Sequence, residues 1–159
     1  MSVKPKITPF LWFNNEAEEA AKFYTSVFPK SRITNLSRYT EAGPRPAGSV
    51  MVVTFELDGR EFAALNGGPE FPFSEAVSFM VNCETQEEVD YYWEKLSAGG
   101  REDQCGWLKD KFGLSWQIVP TALGELMSEG DPDSSRRVME ALLKMKKLDI
   151  RALEEARGR

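Results

Sequence analysis

The chain has 159 residues, of which 42% are hydrophobic and 28% are charged. This is the size and composition of one soluble globular domain with enough apolar residues to bury a core. The formal net charge of −5 argues against nucleic acid or an anionic membrane as the main partner, since both bind clustered positive charge. No apolar run is long enough to cross a bilayer and the N-terminus lacks a signal-peptide stretch, so we expect a cytoplasmic protein.

The first half of the chain predicts a strand, a helix and three more strands. The strands are predicted over residues 7–13, 31–39, 50–57 and 60–65. The helix is expected to begin after Asn14 or Asn15 and to end at Pro29. The last two strands are separated by Asp58-Gly59, a strong signal for a two-residue hairpin turn. Residues 41–48 are rich in glycine and proline and are predicted to form a connecting loop.

The second half repeats this order of elements. A strand is predicted over residues 76–82 and a helix over residues 85–98. Thr85 and Glu88 are expected to form a capping box at the start of this helix. Two strands at 105–109 and 114–119 then form a hairpin around residues 110–113. Gly113 permits the positive φ that such a turn requires. The two halves therefore predict a pseudo-repeat of a βαβββ unit.

The chain after Pro120 predicts helices. One covers residues 121–128, a second begins with Asp131 as cap and Pro132 at its first position, and a third covers 149–156. The second helix carries a broad apolar face formed by Val138, Met139, Leu142, Leu143 and Met145. This face is expected to pack either on the domain's own core or on a second subunit.

Neither histidine nor a CxxC motif occurs in the sequence. The absence of histidine removes the commonest metal ligand and the commonest general base, together with Ser-His-Asp and Cys-His arrangements. Cys83 and Cys105 are expected to be free thiols. Lys109 lies four positions beyond Cys105 along a strand, too far to activate its thiol, so no catalytic residue is identified.

The hairpin pattern Asp110-x-x-Gly113-x-x-x-Gln117 resembles the last hairpin of the vicinal oxygen chelate superfamily, which includes glyoxalase I, bleomycin-resistance proteins and extradiol dioxygenases. The segments at residues 9–13 (PFLWF), 64–69 (ALNGGP) and 71–77 (FPFSEAV) resemble its PhnB-like branch, often labelled 3-demethylubiquinone-9 3-methyltransferase. This resemblance runs over nearly the whole chain.

The resemblance implies an α+β fold in which paired βαβββ modules form a glyoxalase-like curved mixed sheet, followed by a C-terminal helical extension. The glyoxalase-like domain would cover residues 1–120, with modules at about 1–68 and 74–120, and the extension would cover 121–159. The resemblance also implies a homodimer, in which we expect the extension to pack against the partner.

If the strands pair as in that superfamily, alternation assigns one set of side chains to a cavity. This set is Thr8, Phe10, Trp12, Phe62, Ala64, Asn66, Ala76, Ser78, Met80, Ser115 and Gln117. Metal-using relatives carry His and Glu at four such positions, which correspond here to Thr8, Asn66, Ala76 or Ser78, and Gln117. Neutral amide and hydroxyl oxygens bind a cation weakly without a carboxylate, so we expect no metal and no other cofactor.

The cavity instead predicts a small-molecule pocket, in which apolar and aromatic walls surround a few polar groups. The predicted ligand-binding residues are Thr8, Phe10, Trp12, Phe62, Asn66, Ser78, Met80 and Gln117. The alternative is that the aromatic side chains are ordinary core and that Gln117 satisfies a neighbouring backbone group.

Two classes of function follow. The first is a metal-free protein that binds a small apolar or aromatic molecule, as bleomycin-resistance relatives do. The second is an enzyme, either a methyltransferase of the 3-demethylubiquinone type or a lyase or isomerase. Methyl transfer commonly uses a glycine-rich turn between a strand and a helix. Gly67-Gly68 leads into Pro69 and Gly99-Gly100 follows a helix, so neither pair has that context.

Overall fold

The computed structural model describes residues 4–158, which form eight strands and five helices. The strands are β1 Phe10–Phe13, β2 Arg32–Arg38, β3 Val50–Leu57, β4 Arg60–Asn66, β5 Ser78–Cys83, β6 Arg101–Glu102, β7 Trp107–Lys109 and β8 Ser115–Pro120. The helices are α1 Ala17–Val27, α2 Gln86–Ser97, α3 Ala122–Ser128, α4 Pro132–Leu142 and α5 Ile150–Arg157. None of these helices combines the length and apolar character needed to span a bilayer.

The chain divides into two compact units after Phe73, and the C-terminal helices belong to the second. Each unit contains a four-stranded sheet, ordered β1-β4-β3-β2 in the first and β5-β8-β7-β6 in the second. In each sheet the first strand of the unit pairs in parallel with the last, and the other pairs are antiparallel. The predicted α+β fold of two βαβββ modules is thereby confirmed. Strand β6 is absent from the prediction because its two residues are too few to show alternation.

The first sheet is covered by α1 on one face. Asp58 and Gly59 both adopt positive φ, +51° and +78°, as the predicted two-residue turn between β3 and β4 requires. The ring of Tyr24 on α1 stacks on Phe55 with centroids 6.3 Å apart, and Phe55 stacks on Phe62 at 5.6 Å. We call this side of the sheet its helix-covered face and the opposite side its helix-free face.

Helix α1 does not begin as predicted. The residue before it is Glu16 rather than Asn14 or Asn15, and the Glu16 side chain makes no capping hydrogen bond. Asn66, the last residue of β4, supplies the cap instead, because its Oδ1 accepts from the N–H of Ala17 at 2.8 Å. A side chain 49 positions further along the chain therefore satisfies one of the free N–H groups of this helix.

The second sheet is covered by α2 in a corresponding way. Thr85 caps α2 as predicted, since its side chain accepts from the N–H of Glu88 at 3.2 Å. Trp93 on α2 donates its indole N–H to Glu102 Oε1 at 2.7 Å. Because Glu102 pairs with Leu108 in register, α2 lies on the face that carries Leu108. The opposite side is the helix-free face of the second sheet.

The turn between β7 and β8 is organised by the buried carboxylate of Asp110, which is 2% exposed. One oxygen accepts from the N–H groups of Phe112 and Leu114 at 2.9 and 3.0 Å. The other accepts from the indole N–H of Trp116 at 2.9 Å. Gly113 adopts φ +88°, as the sequence predicts. The aspartate and glycine of the hairpin pattern thus have a structural role in holding the turn.

The C-terminal helices form their own small core. Asp131 caps α4 by accepting from the N–H of Ser134 at 2.7 Å, as predicted. The centre of this core consists of Leu126, Val138 and Leu153, flanked by Leu123, Met127, Ala141, Leu142 and Met145. Much of the apolar face of α4 is therefore covered within the chain. The side chains of Met139 and Leu143 stay 39% and 59% exposed.

The segment between α4 and α5 ties these helices to the rest of the second unit. The N–H of Cys105 donates to the carbonyl of Met145 at 2.8 Å. The side chain of Gln86 donates to the carbonyl of Leu148 at 3.0 Å and accepts from the N–H of Ile150 at 2.8 Å. The Gln86 amide thus pairs with the backbone much as a neighbouring strand would.

Candidate functional site

The helix-free face of the second sheet carries three of the predicted ligand-binding residues. In the parallel pairing of β5 with β8, Ser78 lies opposite Ser115 and Met80 lies opposite Gln117. Paired residues in neighbouring strands point to the same face, so these four side chains lie together. The Gln117 amide donates to Ser78 Oγ at 2.9 Å, which fixes its orientation, and Met80 is 54% exposed.

Strand β7 adds two side chains to this face that the sequence analysis does not include. Trp107 pairs with Gln117, and Lys109 pairs with Ser115. The Lys109 ammonium forms an ion pair with Glu75, which lies just before β5 and also pairs with Arg101 at 3.4 Å. Hydrogen bonding to Lys109 lowers the pKa of the Glu75 carboxyl below its ordinary value. Alternation along residues 105–109 could have found Trp107 and Lys109, whereas nothing local connects Glu75 to them.

The helix-free face of the first sheet carries Phe10 and Trp12, which pair with Ala63 and Leu65. Phe10 is 57% exposed. Thr8 precedes β1 and donates to Glu61 Oε2 at 3.2 Å, which places it at the same side of the sheet. The predicted residues Thr8, Phe10 and Trp12 therefore lie along one edge of this face, with Phe10 open to a ligand.

Trp12 is held by the segment that follows β4. Its indole N–H donates to the carbonyl of Gly68 at 2.9 Å, and its ring meets Phe71 edge-on with centroids 4.9 Å apart. A side chain at Gly67 would overlap the indole, because a Cβ there would lie 2.3 Å from Trp12 Cζ2. Gly67 thus permits the close approach of the backbone to an aromatic ring.

Replacing Gly67 with alanine is expected to displace the Trp12 indole and to lower the free energy of unfolding by about 2 kcal/mol, because overpacked sites relax only partly. Urea unfolding measures this change. Gly124→Ala in α3 is the matched control, since a Cβ there would meet no atom within 4 Å and alanine favours a helix. Equal stability of Gly67→Ala and the parent protein would contradict the packing described here.

Phe62 and Asn66 do not lie where alternation was expected to place them. β4 residues opposite β1 are Ala63 with Phe10 and Asn66 with Phe13, so Phe62 and Asn66 occupy the helix-covered face. Their predicted position beside Phe10 is wrong because β4 carries apolar residues on both faces, so alternation cannot distinguish them. Ala64, which belongs to the same parity, is fully buried. Asn66 holds α1, and Phe62 packs against Phe55 in the core.

The residues on these faces make a poor metal site. Among residues 4–158, no group of three or more Cys, Asp or Glu side chains is arranged to hold a metal ion. Where metal-using relatives are expected to supply His and Glu, the second sheet presents the Ser78 hydroxyl and the Gln117 amide, which already bond to each other. Uncharged oxygens of this kind do not fit a first-row metal.

The cysteines are no better candidates for chemistry. Both are free thiols, Cys83 buried and Cys105 partly so. Burial raises the pKa of the Cys83 thiol to about 12. Cys83 therefore carries a proton at neutral pH and is a weak nucleophile.

Two concave clefts lie away from the helix-free faces. One of about 400 Å³ lies at the start of α1 and is lined by Glu18, Glu19 and Arg45 among others. The second, of about 540 Å³, lies among the C-terminal helices beside Glu129 and Arg157. Apart from Asn66 in the first cleft, neither contains a predicted ligand-binding residue.

Comparison with known proteins gives a family and a set of similar folds. The family model described as 3-demethylubiquinone-9 3-methyltransferase matches residues 5–119. The structure of a putative 3-demethylubiquinone-9 3-methyltransferase, a PhnB protein from Bacillus cereus, is 42% identical and covers 74% of this chain and 100% of its own, with a TM-score of 0.68. No functionally curated protein matches the chain.

More distant structures share the fold. A protein from Pseudomonas aeruginosa is 20% identical over 75% of this chain and 98% of its own, with a TM-score of 0.60. The fosfomycin resistance protein FosX from Mesorhizobium loti is 12% identical over 80% of this chain and 100% of its own, with a TM-score of 0.56. The chain therefore belongs to the 3-demethylubiquinone-9 3-methyltransferase family and is PhnB-like.

Proposed function

We propose that the protein binds a small, partly aromatic or apolar molecule without a metal ion, and that the helix-free face of each sheet offers contacts for such a molecule. The hydrogen bond from Gln117, which lies between Met80 and Trp107, to Ser78 is the observation that carries this proposal. An oriented amide and hydroxyl flanked by apolar side chains are the mixture that small-molecule sites use.

The first sheet supports the same proposal from its own unit. Phe10 and Phe71 are 57% and 64% exposed, and Trp12 lies against Phe71. Contiguous exposed apolar patches mark binding surfaces, whereas single exposed apolar residues are normal. Thr8 adds a hydroxyl beside them. These residues are the proposed contacts of the first unit, whereas Phe62 and Asn66 lie on the helix-covered face and support the sheet.

We expect benzamide, a neutral aromatic probe, to shift the backbone NMR signals of Ser78, Met80 and Gln117 in protein treated with EDTA. In Gln117→Leu the affinity for benzamide should fall about fivefold, because one neutral hydrogen bond contributes about 1 kcal/mol. Gln104→Leu, at an exposed position before β7, is the matched control and should bind as the parent does.

Two outcomes would contradict this proposal. Shifts that appear only after a divalent metal is added would show that the site needs a cation. Shifts scattered over both helix-covered faces, with none at Gln117, would show that the helix-free face of the second sheet is not a binding surface.

The family description favours one alternative, an enzyme that transfers a methyl group. The glycines give it no support, since Gly67 and Gly68 follow β4 and lead to β5 without a helix between them. A rise in melting temperature with S-adenosylmethionine would favour methyl transfer. For a methyltransferase, a lyase or an isomerase, Gln117→Ala should lower the turnover rate more than the affinity, whereas a binding protein should take up its ligand stoichiometrically without converting it.

A homodimer belongs to the same proposal. It is supported by two apolar side chains that the C-terminal core leaves exposed, Met139 on α4 and Leu143 at its C-terminal end. A partner subunit could cover them.

A further inference from the structure

Ser115 carries a polar group whose role the fold does not explain. Ser115 is fully buried, and its Oγ has no hydrogen-bond partner within residues 4–158. A buried hydroxyl without a partner loses its hydration and gains nothing in return. It lies on the helix-free face of the second sheet, between Ser78 on β5 and Lys109 on β7. A ligand on this face is a natural acceptor for its proton.

Lys109 is the cation directly across from this hydroxyl. Its side chain is 22% exposed, whereas its partner Glu75 is 53% exposed. Glu75 lies in the segment between β4 and β5, outside any helix or strand, and its carboxylate forms ion pairs with Lys109 and Arg101. Arg101 also pairs with Asp103 at 2.9 Å. The lysine is therefore fixed by the sheet, while the carboxylate that meets it is exposed and exchangeable.

The groups around this pair fit a ligand with one charged end. Lys109 and Ser115 offer a cation and a hydroxyl donor side by side, and Gln117 and Trp107 follow one pleat further along the same face. A carboxylate placed at Lys109 would have its attached carbon skeleton directed along the strands toward Trp107 and Met80. An ionised acceptor makes the stronger kind of hydrogen bond with such donors.

We propose that the molecule bound by this face is a small carboxylate, whose anionic group replaces Glu75 at Lys109 and accepts a hydrogen bond from Ser115. Glu75 occupies the lysine in the absence of that molecule. This inference rests on the proposed function, since it names the chemical class of its ligand.

Benzoate and benzamide test the inference, because they share size and ring and differ in charge. NMR titrations followed at the amides of Lys109, Ser115 and Gln117 should show benzoate binding at least tenfold more tightly than benzamide. Lys109→Met should abolish this preference. Lys95→Met, which removes the same charge from α2 on the helix-covered side, should preserve it.

Two further variants separate a ligand role from a structural one. Ser115→Ala should lower the affinity for benzoate about tenfold while the melting temperature stays equal or rises, because the variant removes an unpartnered buried hydroxyl. Glu75→Gln should raise the affinity for benzoate about threefold, since the competing carboxylate is gone.

The outcomes distinguish the inference from the proposed function. Equal binding of benzoate and benzamide at these amides would overturn the inference and leave the small-molecule site standing. Unchanged benzoate affinity in Ser115→Ala or in Lys109→Met would also overturn it. Failure of both probes to shift any of these amides would contradict the inference and the proposed function together.

Discussion

Replacing Asp110 with alanine is expected to lower the free energy of unfolding by about 4 kcal/mol, because each buried donor left without its acceptor costs about 1 to 3 kcal/mol. The donors are the N–H groups of Phe112 and Leu114 and the indole N–H of Trp116, all within 3.0 Å of the carboxylate. Denaturant unfolding with two independent probes measures the loss.

Asp110→Asn separates the two carboxylate oxygens. Asparagine can retain one oxygen as acceptor for the two backbone N–H groups, but its NH₂ group would face the Trp116 indole N–H, so about half of the loss is expected. Asp133→Ala, at a 78% exposed carboxylate, is the control and should change stability by less than about 0.5 kcal/mol. In a double-mutant cycle, Asp110→Asn and Trp116→Phe should be less than additive. Strict additivity would contradict direct coupling between these side chains.

Replacing Asn66 with alanine is expected to cost about 3 kcal/mol of unfolding free energy, since a lost helix cap and an unpaired, partly buried carbonyl each contribute about 1 to 2 kcal/mol. The Oδ1 atom accepts from the N–H of Ala17 at 2.8 Å, and Nδ2 donates to the carbonyl of Val50 at 3.2 Å. Thermal unfolding gives the overall loss. Hydrogen exchange gives its location, because the first amides of α1 should exchange faster.

Asn66→Asp keeps the acceptor for Ala17 and removes the donor to Val50, so it should protect the start of α1 while it destabilises the end of β4. Asn35→Ala, at an exposed position in β2, is the matched control for the amide itself. Loss of ligand affinity in Asn66→Ala with unchanged stability would restore the role in ligand binding that the sequence suggests.

Short-range signals in the sequence predict much of the fold correctly. The Asp58-Gly59 turn, the Thr85 cap, the Asp131 cap and the positive φ of Gly113 all depend on residues within a few positions of one another. Features that join distant segments are not predictable in this way. The Asn66 cap of α1 spans 49 positions, so local sequence patterns favour the nearer Asn14 and Asn15 as caps.

The residues of the candidate site also divide into those that local patterns predict and those that depend on distant segments. Alternation along β5 and β8 places Ser78, Met80 and Gln117 on one face, as the register shows. In β4 both faces are apolar, so only the pairing of Phe13 with Asn66 reveals which side is covered by α1. The ion pair of Lys109 with Glu75 joins segments that no local pattern connects.

The parallel pairing of first and last strands also bears on how the protein is made. Phe10 can pair with Ala63 only after 53 more residues have been translated, and Ser78 can pair with Ser115 only after the intervening strands of the second sheet have been translated. A nascent chain that has emerged as far as Phe73 already contains all four strands of the first sheet. The strand pairing of the first sheet therefore requires no residue of the second unit, which is synthesised after it.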